Sequence, residues 1–215
     1  MQYFQFCCMV LSLIFSIKTI RNGRIVDYMK GFYWYSFVAV LSTSIGMVII
    51  LTGEIVSNFY FIINKLSFIF HFSFLSLFIR RVIKNTHLKV KFTFVLFFSL
   101  LLILYVLATT LFNQKSYAVS AIANFCLVIC CLFYYYDLFE GVPIRNLFDE
   151  PSFWIVGGIF ICLTITVPLN VVRNFFDRES SDEINLYVGA VTTFPYGIMH
   201  LSFVKAYICS LNLKV

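Results

Sequence analysis

Five polar residues lie inside apolar stretches of the chain, where a membrane protein can use them for chemistry: Asn64, Lys65, His71, Asn124 and His200. The first three belong to one run, residues 56–79, which is otherwise almost wholly apolar. A lysine near the centre of a bilayer costs roughly 2.5 kcal/mol or more on insertion scales, so it requires a partner, a wet cavity or a function. Together these residues predict a site for a ligand, an ion or a proton within the membrane.

The spacing of these residues predicts a single polar layer. Asn64 and His71 are seven residues apart, which places them on one stripe of a helix. The helix rise puts Asn124 and His200 within roughly 10 Å of the same depth. The alternative is structural, because amides bond neighbouring helices at about 0.6 kcal/mol each and Lys65 can extend toward the outer interface. Both interpretations stay open.

The sequence also disfavours several kinds of chemistry. None of the ten Asp and Glu residues lies within a predicted span, so Lys65 has no carboxylate counter-ion in its layer. A retinal-type site and carboxylate-driven proton coupling are therefore poor explanations. The chain has no recognisable hydrolase, metalloprotease or phosphate-loop motif, and its three histidines lie in separate segments. We expect no enzymatic activity, no bound metal and no cofactor.

The elements that must position these residues are membrane-spanning helices. The chain has 215 residues, of which 61% are hydrophobic and 12% are charged, whereas a soluble domain is nearer a quarter charged. We therefore predict an all-α, polytopic integral membrane protein in which residues 1–215 form a single transmembrane helical bundle. The seven predicted spans of this bundle cover about residues 1–20, 31–51, 56–79, 92–112, 117–136, 151–172 and 185–211.

Positive charge in the connecting segments predicts the orientation of the chain. One set of loops holds eleven Lys and Arg residues and the opposite set holds three, and the richer side is expected in the cytoplasm. The N-terminus is then outside and the C-terminus cytoplasmic, which agrees with an odd number of spans. A six-span alternative stays open, in which the short first run lies in the membrane interface.

The strongest basic cluster lies between the third and fourth spans and contains Arg80, Arg81, Lys84, Lys89 and Lys91. Its position predicts contact with anionic lipid or with a protein partner at the cytoplasmic loops. Nucleic-acid binding is a poor explanation, because the basic residues cluster in two membrane loops. The next cytoplasmic loop, residues 137–151, mixes acids with apolar anchors, so it either docks a partner or packs on the bundle. A homo-oligomer is compatible with these features.

Two segments carry a resemblance to a known group of proteins. The first is EPSFWIVGG, which begins at Glu150, and the second is IMHLSFVKAYICS, which begins at Ile198. Both resemble small seven-span membrane proteins of Bacteroidetes-type bacteria, in which a PSFW-like motif opens the sixth helix. The resemblance implies a multi-pass protein of the bacterial inner (plasma) membrane and says little about activity.

These features favour a non-enzymatic membrane sensor or regulatory accessory protein that acts through its cytoplasmic loops on a separate partner. Some seven-span modules of similar topology are sensor halves of signalling proteins. The alternative is a small-solute transporter or a pore-forming protein, because glycines and prolines in the last two spans can break helices beside the polar layer. An accessory of a bacterial defence (CRISPR-associated) system is a further alternative.

Overall fold

The computed structural model describes residues 2–23, 26–51, 58–110, 118–141, 146–176 and 182–212, and these ranges contain helices and no strand. The predicted all-α class is therefore confirmed. The α-helices are α1 (Gln2–Arg21), α2 (Lys30–Leu51), α3 (Asn58–Val82), α4 (Thr86–Thr110), α5 (Ala118–Glu140), α6 (Pro151–Phe176) and α7 (Asp182–Asn212). Two short 3-10 turns span Asp27–Met29 and Leu147–Asp149.

Four helices within the described ranges are long and apolar enough to cross a membrane. They cover Tyr3–Arg21, Thr86–Thr109, Val119–Glu140 and Pro151–Val172. The outer face of α4 is strongly apolar as well, since Phe94, Phe97, Phe98 and Tyr105 are all more than half exposed. Soluble monomers rarely expose contiguous apolar surface of this kind, so these helices indicate a membrane-embedded protein.

The basic segment between the third and fourth spans is mostly helical, although the sequence predicted a loop there. Residues 83–85 alone connect α3 to α4, so α4 begins before the predicted span at residue 92. The Asn85 side chain caps α4, because its Oδ1 accepts the backbone N–H groups of His87 (3.0 Å) and Leu88 (3.4 Å). Helical structure therefore extends past the apolar run into the charged segment.

Six helices pack in a closed circuit. Its order is α1, α2, α3, α5, α6 and α7, and α7 returns to pack against α1. The remaining helix, α4, lies outside this circuit and packs mainly on α5. The first and last helices of the chain are thus neighbours, and side chains from all six can meet inside the circuit.

Aromatic rings fill much of the interior between α2, α3 and α7. The ring of Phe32 is fully buried and contacts Phe78 (centroids 4.7 Å apart) and Phe203 (4.9 Å). Tyr35, one turn further along α2, stacks on Phe74 at 5.0 Å. Edge-to-face and stacked pairs of this kind stabilise a core beyond the area they bury, by about 0.5–1.5 kcal/mol each.

Two glycines allow α7 to approach its neighbours closely. A Cβ placed on Gly158 of α6 would lie 2.6 Å from the Cβ of Ser202. A Cβ on Gly197 of α7 would lie 2.4 Å from the ring of Phe4 on α1. Small residues at helix interfaces are a common device in membrane proteins, because lipid supplies no hydrophobic force between helices and close packing must hold them together.

Candidate functional site

The circuit of helices encloses a group of polar side chains that we call the polar centre: Tyr35, His71, Asn124, Tyr196 and His200. His200 of α7 is 1% exposed, and its ring centroid lies 5.3 Å from that of Phe203. His71 of α3 packs edge to face against Tyr35 at 5.2 Å. The two histidines lie within electrostatic range of each other. α3 and α7 thus present imidazole rings to one region.

Asn124 enters the same region from α5. Its side chain is 4% exposed, and it lies beside the hydroxyl group of Tyr196, which also approaches Thr166 of α6. Tyr196 is in turn within electrostatic range of Tyr35. Polar side chains of α2, α3, α5, α6 and α7 therefore converge within the bundle.

Three buried nitrogen atoms of the polar centre have no hydrogen-bond partner of good geometry in the described part of the chain. They are Nδ1 of His71, Nδ2 of Asn124 and Nδ1 of His200. The Asn124 side chain nevertheless lies beside the Tyr196 hydroxyl. Each unpartnered buried polar group costs about 1–3 kcal/mol. A small polar guest that bonds these nitrogens would recover that cost.

The other two predicted site residues, Asn64 and Lys65, lie in the first half of α3. Their backbone is helical, and their side chains lie outside the described part of the structure. Their assignment to the site stays a prediction. Asn64 is two helical turns before His71, so its register on α3 agrees with the predicted polar stripe.

Sequence reasoning missed several polar residues of α6. Asn170 donates a hydrogen bond from Nδ2 to the Ser120 hydroxyl of α5 at 3.1 Å, and both side chains are buried. Thr166, one turn earlier on α6, lies beside Tyr196. The spacing held a usable signal, because Thr166 and Asn170 are four apart, as are Ser120 and Asn124 on α5. Two pairs of polar residues with the same spacing on consecutive helices indicate that the two pairs face each other.

A second polar cluster, the Glu150 network, lies at the end of the bundle where α5 ends and α6 begins. The Glu150 Oε1 atom accepts hydrogen bonds from the Tyr28 hydroxyl (2.9 Å) and the Ser152 hydroxyl (3.0 Å). The Ser152 hydroxyl also bonds the Tyr134 hydroxyl at 3.1 Å. Burial and the nearby carboxylate of Glu150 raise the pKa of Tyr28, so its phenol stays protonated and remains a donor.

The segment that precedes α6 packs on the bundle. The carbonyl oxygen of Phe148 accepts the indole N–H of Trp154 (2.8 Å) and the thiol of Cys209 on α7 (3.4 Å). Lys205 of α7 lies 5.6 Å above the Trp154 ring. Of the two alternatives for this loop, packing on the bundle therefore describes residues 146–150. The ring of Phe148 is nevertheless 62% exposed, and so can also contact a partner.

The basic cluster is held at the same end of the bundle. Arg80 donates from Nε to the Thr93 hydroxyl at 3.0 Å. The Asp137 carboxylate accepts the backbone N–H groups of Lys84 (2.7 Å) and Asn85 (3.0 Å), which fastens the α3–α4 connection to α5. Arg81 lies in the last turn of α3, whereas Lys89 and Lys91 lie in the first turns of α4. All of them lie at the end of the bundle that carries the Glu150 network.

Comparison of the chain with protein-family models, curated proteins and solved structures found no match. The features of the molecule that bear on function are therefore the polar centre, the Glu150 network and the surfaces beside them. The described residues contain no group of three or more His, Cys, Asp or Glu side chains arranged to hold a metal ion. The three orphaned nitrogens of the polar centre belong to two imidazoles and an amide, a set suited to hydrogen bonding.

Proposed function

We propose that this chain is a non-enzymatic multi-pass membrane sensor or regulatory accessory protein, which binds a small polar ligand at the polar centre and signals to a separate protein partner. The observation that carries the proposal is the set of three buried nitrogens, contributed by three helices, that lack hydrogen-bond partners within the described residues. A ligand that bonds all three ties α3, α5 and α7 together. Ligand binding then favours one packing arrangement of the bundle over another.

The route from the ligand to the partner runs along helices shared by both polar clusters. Asn124 of the polar centre and Tyr134 of the Glu150 network lie on α5, about 15 Å apart by helix rise. Tyr35 lies on α2, which begins directly after the turn that carries Tyr28. A shift of α2 against α5 therefore changes the hydrogen bonds of Glu150. The adjoining surface carries the exposed rings of Phe139 and Phe148, to which a partner can bind.

Hydrogen–deuterium exchange of the full chain in lipid nanodiscs tests this coupling. His200→Leu and Asn124→Leu are each expected to change backbone exchange at residues 146–150 by about fivefold or more, which is the lower range of known allosteric couplings. Thr164→Leu is the control, because that exposed hydroxyl bonds carbonyl groups of its own helix. If all three variants leave the exchange unchanged, the polar centre is not coupled to this end of the bundle and the proposal is wrong.

Flux measurements separate this proposal from a transporter or pore. In liposomes of phosphatidylethanolamine and phosphatidylglycerol, the wild-type chain is expected to add no permeability to ions or small solutes. A flux that His200→Leu abolishes would replace the sensor with a transporter whose path crosses the polar centre.

We further propose that all seven helices span the inner membrane, with the N-terminus outside and the C-terminus in the cytoplasm. The bias of Lys and Arg toward one set of loops supports this orientation. A fluorescent protein fused to the C-terminus, which folds only in the cytoplasm, is expected to fluoresce. A phosphatase that is active only outside the cytoplasm is expected to be active when fused after residue 52 and inactive when fused after residue 84. The reversed pattern would overturn the orientation.

A further inference from the structure

A groove separates the beginning of α4 from the end of α5 and lies outside the circuit of six helices. Its volume is about 530 Å³. The residues that line the groove are polar at one end and apolar at the other. Near the α3–α4 connection the lining is polar and includes His87, Lys91, Tyr136 and Glu140. Toward the middle of α5 it is apolar, with Ile129, Leu132 and Phe133.

The dimensions of the groove suit a lipid. Ile129 and Glu140 lie on the same face of α5, three turns apart, which is about 16 Å along the axis. The apolar part of the groove, from Ile129 to Phe133, covers about 6 Å of that length, which accommodates the first few methylene groups of an acyl chain, and the rest of the chain extends into the bilayer. Leu132 is 51% exposed although it lies in the membrane-crossing part of α5, so the floor of the groove is accessible from the bilayer. An occupant must therefore be amphiphilic, with its polar group at the end where α5 stops.

The charges at the polar end have opposite signs on its two walls. Lys91 belongs to α4 and Glu140 to α5, and the two make no ion pair with each other in the described structure. The Glu140 carboxylate instead accepts a hydrogen bond from the Tyr136 hydroxyl of its own helix. A headgroup between the walls thus meets an ammonium and an imidazole on one side and a carboxylate on the other.

We propose that this groove binds a zwitterionic aminophospholipid of the phosphatidylethanolamine type. Its phosphate bonds Lys91 and His87, its primary ammonium group bonds Glu140, and one acyl chain lies along Ile129 and Leu132. Charge-assisted hydrogen bonds of this kind are the strong ones in proteins. A purely anionic lipid gains the same contact with Lys91 but places negative charge near Glu140. A choline headgroup fits the charges but has no N–H to donate to the carboxylate.

Native mass spectrometry of the full chain, titrated with dioleoyl phosphatidylethanolamine, phosphatidylglycerol or phosphatidylcholine, tests the proposal. The wild-type chain is expected to bind phosphatidylethanolamine most tightly. Glu140→Gln is expected to lower the affinity for phosphatidylethanolamine by about tenfold and to leave the affinity for phosphatidylglycerol unchanged or higher. Lys91→Gln is expected to lower the affinities for phosphatidylethanolamine and phosphatidylglycerol by about tenfold each. Lys18→Gln is the control, because this exposed lysine lies on α1, outside the basic cluster, and does not line the groove.

A further variant tests the apolar floor. Leu132→Gln is expected to weaken all three lipids, since each would place an acyl chain against that residue. Thermal unfolding of every variant in detergent checks that the fold is intact before affinities are compared. The zwitterionic site would be overturned if the wild-type chain bound phosphatidylglycerol more tightly than phosphatidylethanolamine. It would also be overturned if wild type and Glu140→Gln bound phosphatidylethanolamine with equal affinity. Retention of none of the lipids would overturn it too, and would leave a protein segment as the occupant.

Discussion

Replacing Gly158 by alanine is expected to lower the free energy of unfolding by about 1–3 kcal/mol, the usual cost of overpacking a tight core. The new Cβ would lie 2.6 Å from the Cβ of Ser202 and 3.3 Å from the carbonyl oxygen of Met199. Both neighbours are fixed to the backbone of α7, so rotation of a side chain cannot relieve the clash. The two helices would have to move apart, which weakens a contact that holds α7 in the circuit.

Gly157 offers a matched control one residue away. A Cβ at Gly157 would meet the Tyr135 hydroxyl at 3.4 Å, an ordinary contact. Both substitutions gain the same helix propensity, up to about 1 kcal/mol, so the difference between them isolates the packing cost. Unfolding in SDS can be followed through the reactivity of the buried thiols of Cys130, Cys131 and Cys162. Equal stability of Gly157→Ala and Gly158→Ala would show that α6 and α7 are not in close contact at this point.

Replacing Glu150 by alanine is expected to lower the free energy of unfolding by about 2 kcal/mol and to release the turn Asp27–Met29, which carries Tyr28, from the bundle. The carboxylate accepts two hydroxyl donors, and hydrogen bonds to charged groups contribute about 1.5–3 kcal/mol. Ser152 is 2% exposed and keeps its hydrogen bond to Tyr134. The Tyr28 hydroxyl, in contrast, loses the carboxylate that accepts its hydrogen bond. Thiol reactivity during SDS titration measures stability, and hydrogen exchange at residues 26–30 measures release of the turn.

Two companion substitutions define what the Glu150 result means. Asp149→Ala removes the neighbouring exposed carboxylate, which accepts a hydrogen bond from the Asn146 amide, and is expected to cost less than about 0.5 kcal/mol. Glu150→Gln keeps one acceptor oxygen and is expected to fall between wild type and alanine. The role assigned to Glu150 would be wrong if its alanine variant matched Asp149→Ala in both stability and exchange.

The helices follow from the sequence more readily than their arrangement does. Long apolar runs predict membrane helices because the backbone must satisfy its own hydrogen bonds in hydrocarbon. Hydropathy marks only the part inside the hydrocarbon, so the start of α4 was missed. The helix begins at Thr86 because Asn85 caps it, and Lys89 and Lys91 lie in helix with ordinary propensity. Nothing in the hydropathy of α1 indicates that its neighbour is α7, since neighbours depend on shape.

Some residues of the candidate site could likewise be identified from the sequence, and others could not. His71, Asn124 and His200 could be singled out because polar residues in apolar spans are rare and costly. Tyr35, which packs against His71, could not, because tyrosine in a membrane protein is more often an interface residue. The Glu150 network was also missed, since it joins three segments far apart in the sequence. The sequence did show acids in the loop that precedes α6, and in the structure one of them, Glu150, accepts hydrogen bonds from two hydroxyl groups.

The contact between α1 and α7 has a consequence for how the protein is made. The ribosome makes α2 to α6 between α1 and α7, so α1 waits while they are made for the neighbour with which it has its larger contact. Tyr196 and His200 arrive with that last helix as well. Until α7 is made, the imidazole of His71 and the amide of Asn124 therefore lack the neighbours that this helix supplies. Docking of α7 therefore closes the circuit and shields these polar groups in the same step.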